Sequence, residues 1–472
     1  MIKKVLIANR GEIAVRIARA CTELGIQSVA IYTDADRYSL HVKKADEAYN
    51  LGPDSVSGYL NVHRIVNLAT ATGCDALHPG YGFLSENPLL AEACEKRGIR
   101  FIGPSAAIIR QLGDKLQARA AMINAGIPVT PGSEDNVESV QEALNIAGEI
   151  GYPVMLKATN GGGGRGIRRC ADADELSRSY DRVVSEVSKT FGNAEVFLEK
   201  CIDNPRHIEV QVLGDHHGKT IHLFERDCSI QRRHQKLIEI APSPQLSEEQ
   251  RKYIGKLAVT AAKSVGYTNA GTVEFLLDEN DTFYFMEVNT RLQVEHTITE
   301  QITGIDIVQE QIRIAAGLKL RYNQRDVKRR GYAMEFRINA EDPKNDFLPS
   351  FGRVTRYYAP GGPGVRTDAA IYTGYDIPPH YDSMCAKLIV WALDWDSLID
   401  RANRALKDIG VYGVKTTIPY QLEILKSPHF QSGKFDTSFV ESHPELINYS
   451  VHRSSHQLAA ALGAAMAAHM GL

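Results

Sequence analysis

The chain has 472 residues, 43% of them hydrophobic and 24% charged, with a formal net charge of −3. That length exceeds one small core and suits about three domains of a soluble protein. The charge balance lacks the basic excess of a nucleic-acid surface, and no window approaches a membrane span or a secretory leader, so a cytoplasmic location is expected.

In chain order, "KVLIA" (4–8) reads as a buried strand, "GEIAVRIARACTEL" (11–24) as an amphipathic helix and "SVAIYTD" (28–34) as a second strand. This is a βαβ opening of Rossmann type. Its junction "NRGEIA" lacks the GxGxxG spacing, which disfavours a nicotinamide cofactor. "DALHPGYGFLSENP" (75–88) is a strand followed by a Gly- and Pro-rich loop of the kind that holds ligands, although tight turns alone also account for its glycines. The character changes near Gly113. A helix over 114–128, the linker "VTPGSEDN" and a small α/β segment to about residue 203 come first. Strand-rich sequence over 207–240, a helix at 247–265, a hairpin at 271–288 and a helix ending near 318 follow. From "YAMEFRINAEDP" onward the pattern predicts mostly strands and turns, with a last helix around 396–409. The Ala-rich tail, 442–472, reads as a short helix or a frayed end without a catalytic candidate. Seven scattered cysteines form no CxxC pair and no zinc spacing, so they read as isolated reduced thiols.

"GTVEFLLDENDTFYFMEVN" (271–289) folds about the polar turn "DEND". Symmetry about Asn280 and Asp281 sets Glu274 across from Glu287, with Asn289 further along that face. Val273, Phe275, Met286 and Val288 then form the apolar side. Like charges directly opposite on a sheet repel, by roughly 3 kcal/mol at ~5 Å and an effective dielectric of ~20. A cation or a proton must offset this. Two carboxylates and an amide oxygen are hard ligands suited to magnesium or manganese; a solvated sheet face with Lys or Arg partners is the alternative. If the strand continues to "RLQVEHT", a period of two lines up Glu287, Asn289, Arg291, Gln293 and Glu295 on one side.

"YPVMLKATNGGGGRGIRRC" (152–170) is not a P-loop, because Ile167 stands where the lysine is required and no helix follows. Its backbone N–H groups can fold over phosphates with Lys157 as a point charge; a mobile turn is the plainer reading. His207, Glu209 and Gln211 form the polar face of a half-buried strand. Gln231, His234 and Lys236 share a short basic run with Arg232 and Arg233. A lone histidine there reads as structural, but the recurrence of His and Lys among strands that also carry paired carboxylates favours a nucleotide-phosphate site.

Together these segments resemble a known family. "KATNGGGGRGIR", "GTVEFL" and "MEVNTRLQVEHTITE" look like the ATP-grasp motifs of biotin-dependent carboxylases. "IANRGEIAVRIARA", "HPGYGFLSEN", "FRINAEDP" and "YDSMCAKL" resemble their biotin carboxylase component, over about residues 2–440. The chain looks most like the separate biotin carboxylase subunit of a two-subunit pyruvate carboxylase. Subunits serving acetyl-CoA or propionyl-CoA carboxylases are similar enough to stay open.

The resemblance implies an α/β and α+β fold in three parts. These are a Rossmann-like domain at 1–113, an ATP-grasp domain at 114–318 with a mobile lid at about 131–203, and a mostly β C-terminal domain at 331–441. It implies that Lys115, Lys157 and His207 contact ATP, that Gly163 and Gly164 belong to the lid loop, and that Glu199, Lys200, Cys201 and Ile202 form the hinge reading adenine. Gln231 and His234 would lie beside the nucleotide. Glu274, Glu287 and Asn289 match the metal positions, and Lys236, Arg291, Gln293 and Val294 the bicarbonate site. Glu295 matches the catalytic base and Arg337 the arginine facing biotin. The implied reaction makes carboxyphosphate from bicarbonate and ATP, then carboxylates biotin at N1.

No Ala-Met-Lys-Met type tetrapeptide occurs and no Lys follows Lys434, so biotin is expected on a separate carrier or carboxyltransferase subunit. The family's dimer contacts fall on the first helix, where Arg19 and Glu23 match, so a homodimer is expected. Two other readings compete. Another ATP-grasp ligase has no need of "RLQVEH", and a nucleotide-sensing regulatory chain has no need of Arg291, Glu295 and Arg337 together.

Overall fold

Strand β1 (Lys4–Ile7) is buried because it is the centre of a parallel sheet ordered β3-β2-β1-β4-β5. Its companions are β2 (Gln27–Tyr32), β3 (Glu47–Asn50), β4 (Ala76–His78) and β5 (Arg100–Phe101). The computed structural model describes residues 2–159, 166–191, 195–450 and 455–471. Helix α1 (Gly11–Glu23) departs from its amphipathic reading, since residues 11–18 are all buried, Glu12 and Arg16 among them. Later parts of the chain cover the face that the pattern assigns to water. Arg16 pairs there with Glu300 at 2.9 Å and Asp306 at 2.7 Å.

A small antiparallel sheet, ordered β7-β6-β8, comes next: β6 (Val154–Ala158), β7 (Ile167–Cys170) and β8 (Val196–Lys200). Val154, Leu156 and Leu198 pack there against Leu176 and Tyr180 of the helix Ala173–Phe191. Gly163 and Gly164 lie outside the described residues.

The largest sheet has eight strands, in the order β13-β12-β9-β10-β11-β14, then Met384–Ala392, then Val365–Ala369. Here β9 is Arg206–Gly214, β10 Thr220–Arg232, β11 Gln235–Ala241, β12 Asn269–Leu277, β13 Phe283–Asn289 and β14 Tyr332–Asn339. Every neighbouring pair is antiparallel. The sheet runs across the division expected between residues 318 and 331, because Ile238 of β11 pairs with Phe336 of β14 and Ala241 with Ala333.

The last third holds more helix than the pattern predicts. Beyond Trp395–Asp408 come helices Ile418–Lys426, Pro428–Gln431 and Phe439–Ser442, and the tail forms a helix over Ser455–His469. Pro419 and Pro428 occupy first turns, where proline starts a helix rather than breaking one. Ile424, Phe430 and Phe439 from these helices bury against Phe336 and Leu388 of the sheet. All seven cysteines are free, and only Cys201 is not fully buried. Among the described residues no helix is long and apolar enough to cross a membrane.

Candidate active site

The hairpin of β12 and β13 places Glu274 opposite Glu287 and Thr272 opposite Asn289. It does so by a different route from simple symmetry. The turn closes on Leu277 and Phe283, one residue out of the expected register, and Met286 is an extra residue that restores it. Phe285, not Met286, therefore joins Val273, Phe275 and Val288 in the core.

The same rung crosses four strands. Arg226 of β10 pairs with Glu209 of β9, Glu209 with Glu274, and Glu274 with Glu287. One cation and three carboxylates thus stand in line. Arg226 is fully buried; it donates to Glu209, to Gln211 at 2.8 Å and to Thr299 at 2.9 Å. Lys236 spans the acidic groups, at 2.7 Å from Glu209, 3.3 Å from Glu274 and 2.7 Å from Glu295. His207 Nε2 lies 2.6 Å from the other oxygen of Glu274. Burial alone would raise the Glu274 carboxyl, yet Lys236 and His207 hold it below the usual carboxylate range.

Glu287 makes no hydrogen bond or ion pair among the described residues. Burial and then the charge of Glu274 push its carboxyl upward, with Lys115 opposing. Such a group is relieved by a divalent cation. Asn289 lends an amide oxygen, which now accepts from Arg291 at 3.1 Å, while its amide nitrogen donates to Glu274 at 2.7 Å. All three are oxygen donors of the kind that magnesium and manganese take. The donor set fits the ion expected from the sequence. His207, Glu209 and Glu274 also bring candidate ligand atoms within 4.8 Å of one another.

Residues 290–295 do not continue the strand. β13 ends at Asn289, a loop follows, and Glu295 stands at the N-cap of the helix His296–Thr303. The single-faced stripe is therefore wrong as a strand, and a turning backbone brings the side chains together instead. Arg291 Nε donates to Glu86 at 2.9 Å and its terminal nitrogens to Gln293 at 2.9 Å and Asn289 at 3.1 Å. Gln293 donates to Glu274 at 3.1 Å, and the Val294 carbonyl accepts from Lys387 at 2.7 Å. Glu295 is fully buried between Lys236 and Arg337, the latter at 3.0 Å. Burial would raise its carboxyl, but Lys236, Arg337 and Arg226 prevail and keep it well below the usual range.

Arg337 also donates to Glu239 at 2.5 Å. Glu239 faces Glu335 across the β11–β14 pair. Burial lifts Glu239 to about 8 despite Arg337, and lifts Glu335 to about 7. The sequence reading missed Glu239, Glu335, Arg226, Glu86 and Lys387 as members of this site. "LIEIA" and "AMEFRIN" each carry a lone Glu in an apolar strand, which is the signal that could have exposed two of them.

On the side of the small sheet, Lys157 pairs with Glu199 at 2.5 Å and Arg119 reaches Glu199 at 3.5 Å. Lys115 Nζ donates to the Ala158 carbonyl at 3.3 Å, and burial lowers its pKa although Glu287 and Glu199 oppose. Lys200 is tied down by the carbonyls of Gly151 and Tyr152 at 3.1 and 2.7 Å. The N–H groups of Lys200 and Cys201 bond to Pro131 and Pro153 at 2.7 and 3.0 Å, and Ile202 follows them. Gln231 pairs with Lys236 in register. The basic run splits. Arg232 and Arg233 turn to Asp346, and His234 stands exposed in a tight turn with φ +64°, so only Lys236 joins the carboxylates.

Known proteins resemble this chain over nearly its whole length. Residues 1–109 match the family model for the biotin carboxylase N-terminal domain, 335–442 that for the biotin carboxylase C-terminal domain, and 114–323 that for the ATP-binding domain of the carbamoyl-phosphate synthase L chain. The 2-oxoglutarate carboxylase small subunit of Hydrogenobacter thermophilus is 54% identical over all of both chains. A pyruvate carboxylase subunit of Methanothermobacter thermautotrophicus is 52% identical over 94% of this chain and 90% of its own length. The crystal structure of the Hydrogenobacter biotin carboxylase domain dimer, with MgADP, ADP and bicarbonate, superposes with a TM-score of 0.93 at 55% identity, covering 96% of this chain and 100% of that one.

Proposed function

The chain belongs to the biotin carboxylase family, and on that premise we propose that it uses ATP and bicarbonate to carboxylate biotin carried on a separate chain. The observation that carries this reading is Glu295, clamped by Lys236 and Arg337 beside the Glu274–Glu287 rung. It puts a buried base, an anion clamp and a metal-type carboxylate pair in one place.

Lys115, Lys157 and His207 contact the ATP phosphates or ribose; Gly163 and Gly164, which the resemblance assigns to the lid loop, lie outside the described residues. Residues 199–202 read adenine, with Gln231 and His234 alongside. Glu274, Glu287 and Asn289 would hold magnesium or manganese, which would supply positive charge to offset that of the nucleotide. Bicarbonate enters against Arg291, Gln293, Val294 and Lys236. Arg291 exchanges Glu86 for the planar anion through its forked donors, which a lysine lacks.

As Lys236 turns to the substrate, Glu295 loses one of the cations that keep it weakly basic, and it takes the bicarbonate proton. The freed oxygen attacks the γ-phosphate, giving ADP and carboxyphosphate, with the lysines absorbing the developing charge. Carboxyphosphate divides into carbon dioxide and phosphate. Phosphate takes the N1 proton of biotin, Arg337 stabilises the ureido oxygen, and carbon dioxide adds to N1.

Both relatives named above act on 2-oxo acids by name. Pyruvate is the first expected acceptor and 2-oxoglutarate the second, handled on the biotinylated partner, with this chain a cytoplasmic homodimer. ADP release that needs bicarbonate and rises with free biotin tests the core reading; ATP cleavage indifferent to bicarbonate would end it. Isolating the biotinylated protein that copurifies, then offering pyruvate, 2-oxoglutarate and acetyl-CoA, assigns the acceptor.

A further inference from the structure

Lys387 is completely buried on the strand Met384–Ala392, and the chemistry above gives it no part. Its sequence neighbours Ala386 and Leu388 are apolar and equally buried. A lone ammonium in such a place is costly, and an apolar side chain often serves stability as well or better. What the charge does is visible in its contacts. Nζ donates to the carbonyl of Val294 at 2.7 Å, lies 3.3 Å from Glu12 Oε1 on α1, and stands 5.9 Å from the centroid of the Tyr81 ring. Tyr81 in turn donates to Glu12. Burial raises Glu12 to about 7, with Lys387 pulling it down, while Glu12, Glu335 and Asp368 hold the Lys387 ammonium protonated against its own burial. The Lys387 ammonium therefore ties Glu12, near the start of the chain, to the backbone oxygen of Val294.

That oxygen matters because of where it lies. Residues 290–294 have neither a strand partner nor a helix, so no ladder orients their peptides. In a planar trans peptide the C=O and N–H point opposite ways, so anchoring the Val294 carbonyl sets the whole plane that leads into Glu295. On the far side, the helix His296–Thr303 holds the backbone. Between these two anchors the direction of the Glu295 side chain is determined.

We propose that Lys387 is a positioning residue for bicarbonate activation, setting the Val294–Glu295 peptide so that both residues face the anion. The proposal rests on the functional reading above. A charged donor suits the task because its bond to a carbonyl is stronger than a neutral one. Glu12 supplies the neutralising partner that makes burial tolerable.

The test uses the full chain with free biotin, reading ADP release against bicarbonate and ATP, and thermal melting with and without MgADP. Lys387→Met is expected to raise KM for bicarbonate by about tenfold or more, the size of a lost charge-assisted hydrogen bond. KM for ATP should stay within about twofold, because uniform nucleotide binding is not what the lysine supports. This variant leaves Glu12 buried without its cation, so the double variant E12Q/K387M is made beside it. It is expected to recover melting temperature while keeping the bicarbonate defect. Recovery of both together would mean that Lys387 is purely structural, and an unchanged bicarbonate KM in either variant would equally overturn the proposal. A wild-type chain without bicarbonate-dependent ADP release would instead overturn the functional reading and this inference with it.

Discussion

Lys236 Nζ lies 2.7 Å from Glu295 Oε1, so the proposed base is held in an ion pair. Glu295→Gln keeps the shape of the side chain and loses its capacity to take a proton. Nucleotide affinity should be unchanged while bicarbonate-dependent turnover falls by about two to four orders of magnitude. Equilibrium ADP titration beside single-turnover ADP formation checks both halves. Undiminished turnover would remove Glu295 from the role.

Arg337→Ala separates the two half-reactions. ATP cleavage with bicarbonate should persist while biotin carboxylation is lost. The variant also predicts a pH effect with a definite sign. Lys236, Arg337 and Arg226 together depress the Glu295 carboxyl, so its basic form persists as pH falls. Without Arg337 the carboxyl moves upward, and the acid limb of kcat/KM for bicarbonate shifts to higher pH. A limb that stays in place would show that the 3.0 Å pair contributes little to the ionisation.

Lys236→Met leaves Glu209, Glu274 and Glu295 close together without their shared cation. Losing one partner of a buried ion pair costs about 3–5 kcal/mol. In the wild type, Glu274 and Glu295 are depressed, so their contribution is present above the unfolded carboxylate range and is lost as pH falls through the folded values. In the variant these carboxyls bind protons more readily than the unfolded chain does, so stability should rise as pH is lowered from about 8 to about 5. Urea midpoints of both proteins across that range decide the matter; a variant midpoint that rises no more than the wild type's would contradict the cation's role.

Glu287→Gln addresses the metal. Ligand that binds only the folded state stabilises it by about 2.7 kcal/mol at a hundredfold excess over Kd. In the wild type, adding magnesium to ADP should raise the melting temperature beyond ADP alone, and in E287Q that increment should disappear. An undiminished magnesium increment would take Glu287 off the ion.

Much of this site could be read from the sequence, and the misses have physical reasons. The Glu274–Glu287 pairing followed from turn symmetry, but the real turn is one residue out and Met286 corrects it, which no periodicity could reveal. The stripe from 287 to 295 obeyed a period of two, yet a loop and a helix N-cap supply its last residues. Glu239 and Lys387 were invisible for another reason. Each is a single charge in an apolar strand, and its partner lies 98 or 93 residues away, at Arg337 or Val294. Glu12 and Arg16 read as a wet helix face because the segments that bury them, near residues 300 and 387, come much later in the chain.

The pairing of β11 with β14 makes the linker between residues 318 and 331 a poor place to cut. A fragment stopping there would carry a bare row of unmatched amides and carbonyls along β11, and its complement would carry the mating row along β14. Such edges are sticky toward any extended segment. Expressed alone, either half is a candidate for precipitation; expressed together, the two could reassemble by zippering along that seam, as a split protein does.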